Sequence, residues 1–389
     1  MVGFSRRVPR CLTPTRLGRV RSTVTDVAYD LTVSNPTRCD LPYPDDLLAP
    51  LAEARGLDYR PDPRGPRAGR VAVASWYRRW GVSVDPDRVV LTSSTSEAYS
   101  LIFKLVADPG DAVLTPTPSY PLFDQLCRLD AVAARPYPLD QEADWRLDLD
   151  RVDEQAAGAR AVIVVHPNNP TGSHIHPDDA VRLVETCRAS GLALIADEVF
   201  LPFVLDGGPG DDRSFAAVRD VLTFTLGGLS KSAGLPQLKL GWIVVGGPDA
   251  EVVAALERLD HIADAYLSVS TPVALAADRL LRRGAAVEAA ITSRCHRNLA
   301  ALRDAARGWP AATVPVVGGG WSVPIRIPSV IDEETLAIRL LTERGVAVQP
   351  GFLFDLPFDG GLVLSLLTPE AVWRDGLGEL FKALRLWLE

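Results

Sequence analysis

Lysine is scarce in this sequence: its 389 residues include only Lys104, Lys231, Lys239 and Lys382. The five cysteines contain no CxxC pair, which argues against a zinc site and is typical of reduced thiols in a cytoplasm. No apolar run reaches the roughly 18 residues that cross a bilayer. A net charge of -8 provides no basic field for nucleic acid. We therefore expect a cytoplasmic protein that binds neither membranes nor nucleic acid.

The beginning of the chain is rich in arginine and has no acidic residue before position 26. Such a composition occurs in organelle transit peptides and also in flexible arms. We favour a flexible N-terminal arm over residues 1–40, of the kind that crosses to a partner subunit. A large domain over 41–275 and a small C-terminal domain over 276–389 are expected to follow it.

Short apolar segments alternate with helical segments through most of the chain. Strands are predicted at 89–92, 112–115, 161–165, 192–196, 221–226 and 240–245, and helices at 41–56, 71–80, 96–105 and 178–190. This alternation predicts an α/β fold, in which the large domain has a mostly parallel central sheet covered by helices on both faces.

The pattern changes after residue 250. A helix-rich stretch over 250–310 is followed by predicted strands and helices at 321–327, 333–344, 346–349 and 362–367, and then by a terminal helix. We interpret this part of the chain as a separate, smaller α+β layer.

Polar clusters follow four of the predicted strands, at 93–96, 166–172, 197–200 and 227–239. Ligands of open parallel sheets bind beyond the carboxyl ends of the strands. One ligand site can therefore collect all four clusters.

Lys231 lies among glycines and other small residues, between Gly227 and Gly234. This setting is poorly suited to a helix or a solvated charged face, and it favours an amine held close to a flat, anionic group. Such an amine can form a Schiff base with an aldehyde cofactor. The alternative is an ordinary exposed lysine in a loop.

Together, these motifs resemble the class I and II aminotransferases, the fold-type I enzymes that use pyridoxal 5′-phosphate, from about Leu31 to the C-terminus. The resemblance implies that Lys231 forms the internal aldimine and then carries a proton between the substrate Cα and the cofactor. It also implies that Asp197, which ends an apolar strand, keeps the pyridine nitrogen protonated. A helix-capping aspartate is the alternative for Asp197.

Further cofactor contacts follow from the same resemblance. Asn169, in a loop rich in turn-forming residues, is implied to donate to the 3′-oxygen of the cofactor, although a plain turn is the alternative. The remaining polar candidates open a helix or flank Lys231 and are implied to hold the phosphate: Ser94, Thr95, Ser96, Ser230 and Lys239. Helix capping alone is the alternative for the first three of them.

Two tyrosines complete the implied cofactor site. Tyr120 matches the aromatic residue that stacks on the pyridine ring, and core packing is its alternative. Tyr59 matches a tyrosine that reaches the phosphate of the neighbouring subunit. The resemblance therefore implies a homodimer with a shared active site.

Two positions depart from the family pattern. Phe200 stands where many relatives have a tyrosine that donates to the 3′-oxygen, so our hypothesis is that the aldimine stays protonated to higher pH. Val363 stands where relatives have the arginine that binds the substrate carboxylate. Weak candidates to replace this arginine are Asn35, Arg64, His166 and Arg326, and a surface strand position is the alternative for Arg326. Trp321 is a candidate for lining the substrate pocket, and core packing is its alternative.

Three functions compete at this stage. The leading one is an aminotransferase, in which an amino donor and a keto acid or aldehyde acceptor react in turn. The second keeps the cofactor but performs a lyase, racemase, cyclase or oxidase reaction. The third, a transcriptional regulator, needs a DNA-binding helix-turn-helix before residue 30, where we expect too little room. A catalytically inactive homologue is disfavoured because both Lys231 and Asp197 are present.

Overall fold

The computed structural model of the protein describes residues 3–206, 214–267 and 269–388. Residues 1–2 of the predicted N-terminal arm and residue 389 of the predicted C-terminal domain therefore lie outside the described residues. The α-helices of the described part are α1 (Arg16–Thr23), α2 (Arg67–Tyr77), α3 (Thr95–Val106), α4 (Phe123–Leu129), α5 (Leu149–Gln155), α6 (Pro177–Ser190), α7 (Leu229–Ser232), α8 (Asp249–Asp264), α9 (Thr271–Arg307), α10 (Glu333–Arg344) and α11 (Glu370–Leu388). The β-strands are β1 (Tyr29–Asp30), β2 (Val89–Thr92), β3 (Ala112–Thr117), β4 (Ala133–Asp140), β5 (Arg146–Leu147), β6 (Ala159–Val165), β7 (Ala193–Asp197), β8 (Thr223–Gly228), β9 (Gly241–Gly246), β10 (Ser322–Arg326), β11 (Val346–Ala347), β12 (Gln349–Pro350) and β13 (Gly361–Ser365).

The largest sheet of the described part has the strand order β2-β9-β8-β7-β6-β3-β4-β5. Strands β4, β3, β6, β7 and β8 are parallel, whereas β9 is antiparallel to both of its neighbours and β5 is antiparallel to β4. Side chains of β6 alternate between two hydrophobic clusters: Ile163 packs in one, and Val162 and Val164 pack in the other. Both faces of this sheet are therefore covered, and the predicted α/β class is confirmed.

A smaller layer forms from the C-terminal part of the chain. Its antiparallel sheet has the order β10-β13-β12, and β11 pairs in parallel with β1. Helix α9 runs without a break through the predicted domain boundary at 275–276. The division into two domains thus stays a prediction, with α9 shared between the two units.

The segment predicted as a flexible arm, residues 1–40, packs on its own chain from α1 onward. The backbone N–H of Leu17 donates to Glu334 on α10 at 2.9 Å. Strand β1 pairs with β11, and Leu31 is fully buried. Backbone pairing and apolar burial hold this segment against the C-terminal layer.

Two secondary-structure predictions are also wrong. The predicted helix at 41–56 is replaced by two 3-10 turns, Ala49–Ala52 and Ala54–Leu57. Prolines 42, 44 and 50 each remove a backbone donor that an α-helix needs. The predicted strand at 346–349 is divided into the short strands β11 and β12.

Across the described ranges, no helix combines the length and the apolar character that a membrane crossing needs.

Candidate active site

A cavity of about 430 Å³ lies at the carboxyl ends of β6, β7 and β8 and is closed on one side by β10 and β13. Strand topology explains the site, because parallel strands bring the loops that follow them to one edge of the sheet. The cavity brings together most of the predicted residues, namely Ser94, Thr95, Ser96, Tyr120, Asn169, Asp197, Phe200, Ser230, Lys231 and Trp321.

Lys231 lies on the short helix α7, directly after β8. A side chain at Gly227 would place its Cβ 2.5 Å from Nε1 of Trp242, so only glycine lets the strand pack this closely. The ammonium nitrogen of Lys231 lies 4.7 Å from the ring centre of Trp321 and 5.2 Å from that of Phe200. Burial lowers the pKa of Lys231 to about 8, although the negative charge of Asp197 opposes the shift.

Asp197 ends β7, and its side chain is buried. The backbone N–H of Val199 donates to its Oδ1 at 3.1 Å, and the hydroxyl of Tyr99 donates to its Oδ2 at 3.0 Å. Burial raises the pKa of Asp197 to about 6, and these two hydrogen bonds and the charge of Lys231 limit the rise. The carboxylate is therefore fixed in orientation, and with a pKa of about 6 it is mostly ionised at pH 7.

The start of helix α3 forms a polar turn on the cavity wall. Ser94 caps the helix, since its Oγ accepts from the N–H of Glu97 at 3.1 Å, and Glu97 in turn accepts from the N–H of Ser93 at 2.5 Å. At Gly241, an added Cβ would lie 3.0 Å from the carbonyl carbon of Ser94 and 3.2 Å from the nitrogen of Thr95. The first N–H groups of α3 have no partner within the helix, so this helix N-terminus is suited to binding an anion.

The buried amide of Asn168 joins two loops of the site. Its Nδ2 donates to the carbonyl of Pro118 at 3.1 Å and to Oγ1 of Thr171 at 2.9 Å. Its Oδ1 accepts from the hydroxyl of Ser119 at 3.1 Å. These bonds hold the loop that carries Tyr120 against the loop that carries Asn169.

Tyr99 and Asn168 are among the site residues that the sequence analysis does not identify. Tyr99 lies in an apolar helix. The only sign in the sequence that it belongs to the site is its hydroxyl group among the apolar residues Ala98, Leu101 and Ile102. Asn168 directly precedes Asn169, and the sequence pattern assigns the cofactor contact to Asn169. Their partners lie far away in the sequence, so the fold is needed to assign them.

Four predicted site residues do not line the cavity. Lys239 is exposed and has a positive φ of 51°, and Tyr59 is 59% exposed. Arg64 is held by both carboxylate oxygens of Asp260 at 2.6 Å, and the side chain of Asn35 caps a 3-10 turn by accepting from Thr37. The prediction that Arg64 and Asn35 contact the substrate is therefore corrected, because these hydrogen bonds direct both side chains elsewhere.

The two other substitutes for the missing arginine also lie outside the cavity. Nδ1 of His166 accepts from the N–H of Ile175 at 3.0 Å, so this ring faces the loop after β6. The guanidinium of Arg326 lies over the ring of Phe358 at 5.3 Å. Neither side chain is among those that line the cavity.

Val363 lies on β13 opposite Gln349 on one side and Pro324 on the other. Its side chain is 1% exposed. Of the described residues that line the cavity, Asp197 and Lys231 are the only ones with charged side chains. The site therefore combines one half-buried amine, one buried carboxylate, a helix N-terminus and a neutral wall.

Comparisons with known proteins agree with this geometry. The family described as "Aminotransferase class I and II" matches residues 44–372. A glutamate-pyruvate aminotransferase AlaA of Haemophilus influenzae is 29% identical over 249 residues, which are 62% of this chain and 61% of that protein. An alanine aminotransferase of Mycobacterium bovis is 26% identical over 355 residues, which are 87% of this chain and 81% of that protein.

Among solved structures, an alanine aminotransferase from Pyrococcus furiosus superimposes with a TM-score of 0.85 at 22% identity, and the match covers 94% of both chains. This likeness confirms the fold that the sequence predicted. The chain spans about three fifths of the length of the Haemophilus relative.

Proposed function

The chain belongs to the class I and II aminotransferase family, and from this membership we propose that it is a pyridoxal-phosphate-dependent transaminase. It moves an amino group from a small-molecule amino donor to a keto acid or aldehyde acceptor. The observation that carries the proposal is the pairing, in one cavity, of Lys231 with a lowered pKa and the buried carboxylate of Asp197. Perturbed titratable groups of this kind mark catalytic sites.

The residues of the cavity fit this cofactor. Gly241 permits the close approach that exposes the N-terminus of α3, which suits a phosphate. Asp197 presents an anion that suits a protonated ring nitrogen, and Tyr120 provides an aromatic face for the ring. Asn169 provides an amide donor at the same wall. Lys239 remains a predicted phosphate contact, and Tyr59 remains a predicted contact to the phosphate of the neighbouring subunit.

Each charged residue then has a specific task. When bound, pyridoxal phosphate supplies an aldehyde that condenses with amines and a ring that accepts an electron pair. Lys231 has a pKa near 8, so a fraction of its amine is neutral at pH 7 and can take a proton from the Cα of the substrate. Asp197 would hold a proton on the ring nitrogen of the bound cofactor. The rings of Phe200 and Trp321 flank this amine with apolar surface.

A homodimer with a shared active site is part of the proposal. Leu57 is 91% exposed and Tyr59 is 59% exposed, so apolar surface lies next to the tyrosine predicted to reach a neighbouring phosphate. We also propose a cytoplasmic location. It is supported by the five cysteines, all of which are free thiols.

A second candidate is a lyase, racemase, cyclase or oxidase that uses the same cofactor. Phe200 and Val363 favour it, because relatives with transaminase chemistry have a tyrosine and an arginine at these positions. A half-reaction separates the two candidates. Transamination converts the enzyme to a stable aminated cofactor form when an amino donor is added without an acceptor, whereas the other reactions regenerate the original spectrum.

Borohydride reduction of purified protein supplied with vitamin B6 tests the proposal. We expect a yellow protein in which peptide mass spectrometry finds the reduced cofactor on Lys231. The variant Lys231→Ala should carry no label, and Lys104→Ala, altered at an exposed lysine, should be labelled as the wild type. A colourless protein without label on Lys231 would overturn the proposal.

A further inference from the structure

One wall of the cavity is built from β10, β12 and β13 and is uncharged. Ser322 on β10 lies opposite Ser365 on β13, and Gln349 on β12 lies opposite Val363. Residues opposite each other in an antiparallel pair share one face of the sheet. Ser322, Gln349 and Ser365 line the cavity. Because the Ser365 hydroxyl donates to the carbonyl of Val33 at 2.6 Å, this face offers the Ser322 hydroxyl, the Gln349 amide and the Ser365 oxygen as an acceptor.

Arg294 reaches the segment that follows β13 but is bound elsewhere. Arg294 on α9 donates to the carbonyls of Cys39 and Leu367, at 3.0 and 3.3 Å, and pairs with Glu370. None of its bonds reaches the cavity. Together with the positions of Arg64 and Arg326, this leaves the wall without a guanidinium among the described residues.

A carboxylate is poorly accommodated in such a place. The cavity also contains the apolar side chains of Trp321 and Leu364. A buried carboxylate without a cationic partner carries a large desolvation cost. Lys231 is the only described cation there and is needed for the cofactor. A neutral polar group loses less on burial and gains partners, since the indole Nε1 of Trp321 is buried without a hydrogen-bond partner.

We propose that the amine substrate carries a hydroxyl or carboxamide group, rather than an α-carboxylate, against Ser322, Gln349 and Ser365. This inference rests on the proposed function and names its substrate class, amino alcohols and amino amides. In the reaction, the C–N bond of the donor breaks and its carbon becomes a carbonyl. The carbonyl carbon of the acceptor becomes the new C–N carbon and gains one hydrogen, so no external oxidant or reductant is needed.

The decisive measurement compares ligands that bind but cannot react. α-Methylalanine, its primary amide and the corresponding alcohol all lack a Cα hydrogen, so proton removal cannot follow binding. Calorimetry on the holoenzyme should show the amide and the alcohol binding about tenfold or more tightly than the acid, because only the acid buries an unpaired charge. An acid that binds as tightly as the amide, or three ligands that all fail to bind, would overturn the inference.

A failure of this inference can be distinguished from a failure of the proposed function by the labelling test. If borohydride labels Lys231 and the acid binds best, only the substrate class is wrong. If Lys231 is not labelled, both proposals fail.

Charge placed on the neutral wall should reverse the preference. Val363→Arg is expected to bind the acid about tenfold more tightly than the wild type does, whereas Val363→Leu should keep the preference for neutral ligands. Because Val363 is almost fully buried, Gln349→Arg, on the same face and only partly buried, is measured alongside. If neither folded arginine variant improves binding of the acid, this face does not contact the substrate and the inference is overturned.

Arg38→Ala is the matched control. Arg38 is exposed at the end of the short turn that follows Ser34, which lines the cavity. Its removal should leave the ligand preference unchanged. A selective loss of acid binding in this variant would reveal a cation that reaches the substrate and would contradict the inference.

Discussion

The hydroxyl of Tyr99 donates a hydrogen bond to Oδ2 of Asp197 at 3.0 Å. Tyr99 lies on α3, little more than one turn after the Ser94 cap. A single helix therefore exposes its N-terminus to the predicted phosphate and, one turn later, orients the carboxylate predicted to bind the ring nitrogen. The two ends of the cofactor site are coupled through α3, so a displacement of this helix is expected to affect both.

Tyr99→Phe should weaken the site without removing a charged group. Loss of the hydrogen bond raises the pKa of Asp197 further, because a donor to the ionised form is removed. We expect the acidic limb of the pH–rate profile to move to higher pH and the cofactor to bind about tenfold less tightly. Tyr137→Phe is the control, since the Tyr137 hydroxyl also bonds inside the core but to the carbonyl of Ile163. Equal shifts of the acidic limb in both variants would contradict the role of Tyr99.

Gly241→Ala should damage phosphate binding specifically. The added Cβ would lie 3.0 Å from the carbonyl carbon of Ser94, so the turn at the start of α3 must move. We expect the affinity for pyridoxal phosphate to fall by about tenfold or more, because displaced N–H groups lose their alignment with the phosphate. Gly378→Ala, on α11 with no heavy atom within 4 Å of its added Cβ, is the control and should bind normally. Normal binding by Gly241→Ala, measured by absorbance titration, would show that this turn does not hold the phosphate.

Asp197→Asn should stabilise the cofactor-free protein at neutral pH while abolishing activity. The folded pKa of Asp197, about 6, lies above its ordinary value of 3.8, so between these pH values the folded state binds the extra proton. Wild-type stability therefore decreases as pH rises through this window, and the asparagine variant escapes the loss. We expect a gain in the free energy of unfolding on the order of 1–3 kcal/mol at pH 7, which disappears below pH about 4.

Urea unfolding of the cofactor-free proteins at several pH values measures this effect. Lys231→Met should also increase the free energy of unfolding, because it too removes a desolvated ionisable group. The pH dependence of this gain should be opposite to that of Asp197→Asn. The folded pKa of Lys231, about 8, lies below its ordinary 10.5, so the unfolded chain binds the extra proton and wild-type stability rises with pH between these values. If Asp197→Asn is less stable than the wild type at pH 7, burial of the ionised Asp197 carboxylate does not lower the free energy of unfolding.

The outline of the site was predictable because its signals are local. Apolar runs such as 161–165 and 192–196 read as strands, and the polar residues that follow them share one edge of a parallel sheet. The helix predicted at 41–56 failed because three prolines outweighed its apolar periodicity. The bonds of Tyr99 and Asn168 join positions about 50 to 100 residues apart, and local periodicity carries no such information. The contact of Tyr59 depends on a second subunit, and both this contact and the phosphate contact of Lys239 stay predictions.

Phe200→Tyr should lower the pH at which the cofactor chromophore loses its proton. The ring of Phe200 lies 5.2 Å from the Lys231 nitrogen and meets Trp321 edge to face with ring centres 5.4 Å apart, so it borders the cofactor site but offers no donor. A tyrosine hydroxyl there can donate to the 3′-oxygen and stabilise its anion, which favours release of the neighbouring proton. We expect the absorbance transition to move down by about one pH unit. Phe352→Tyr, at a half-exposed ring that does not line the cavity, should leave it unchanged. A wild-type transition already at or below that of Phe200→Tyr would show that the missing hydroxyl does not hold the chromophore in its protonated form.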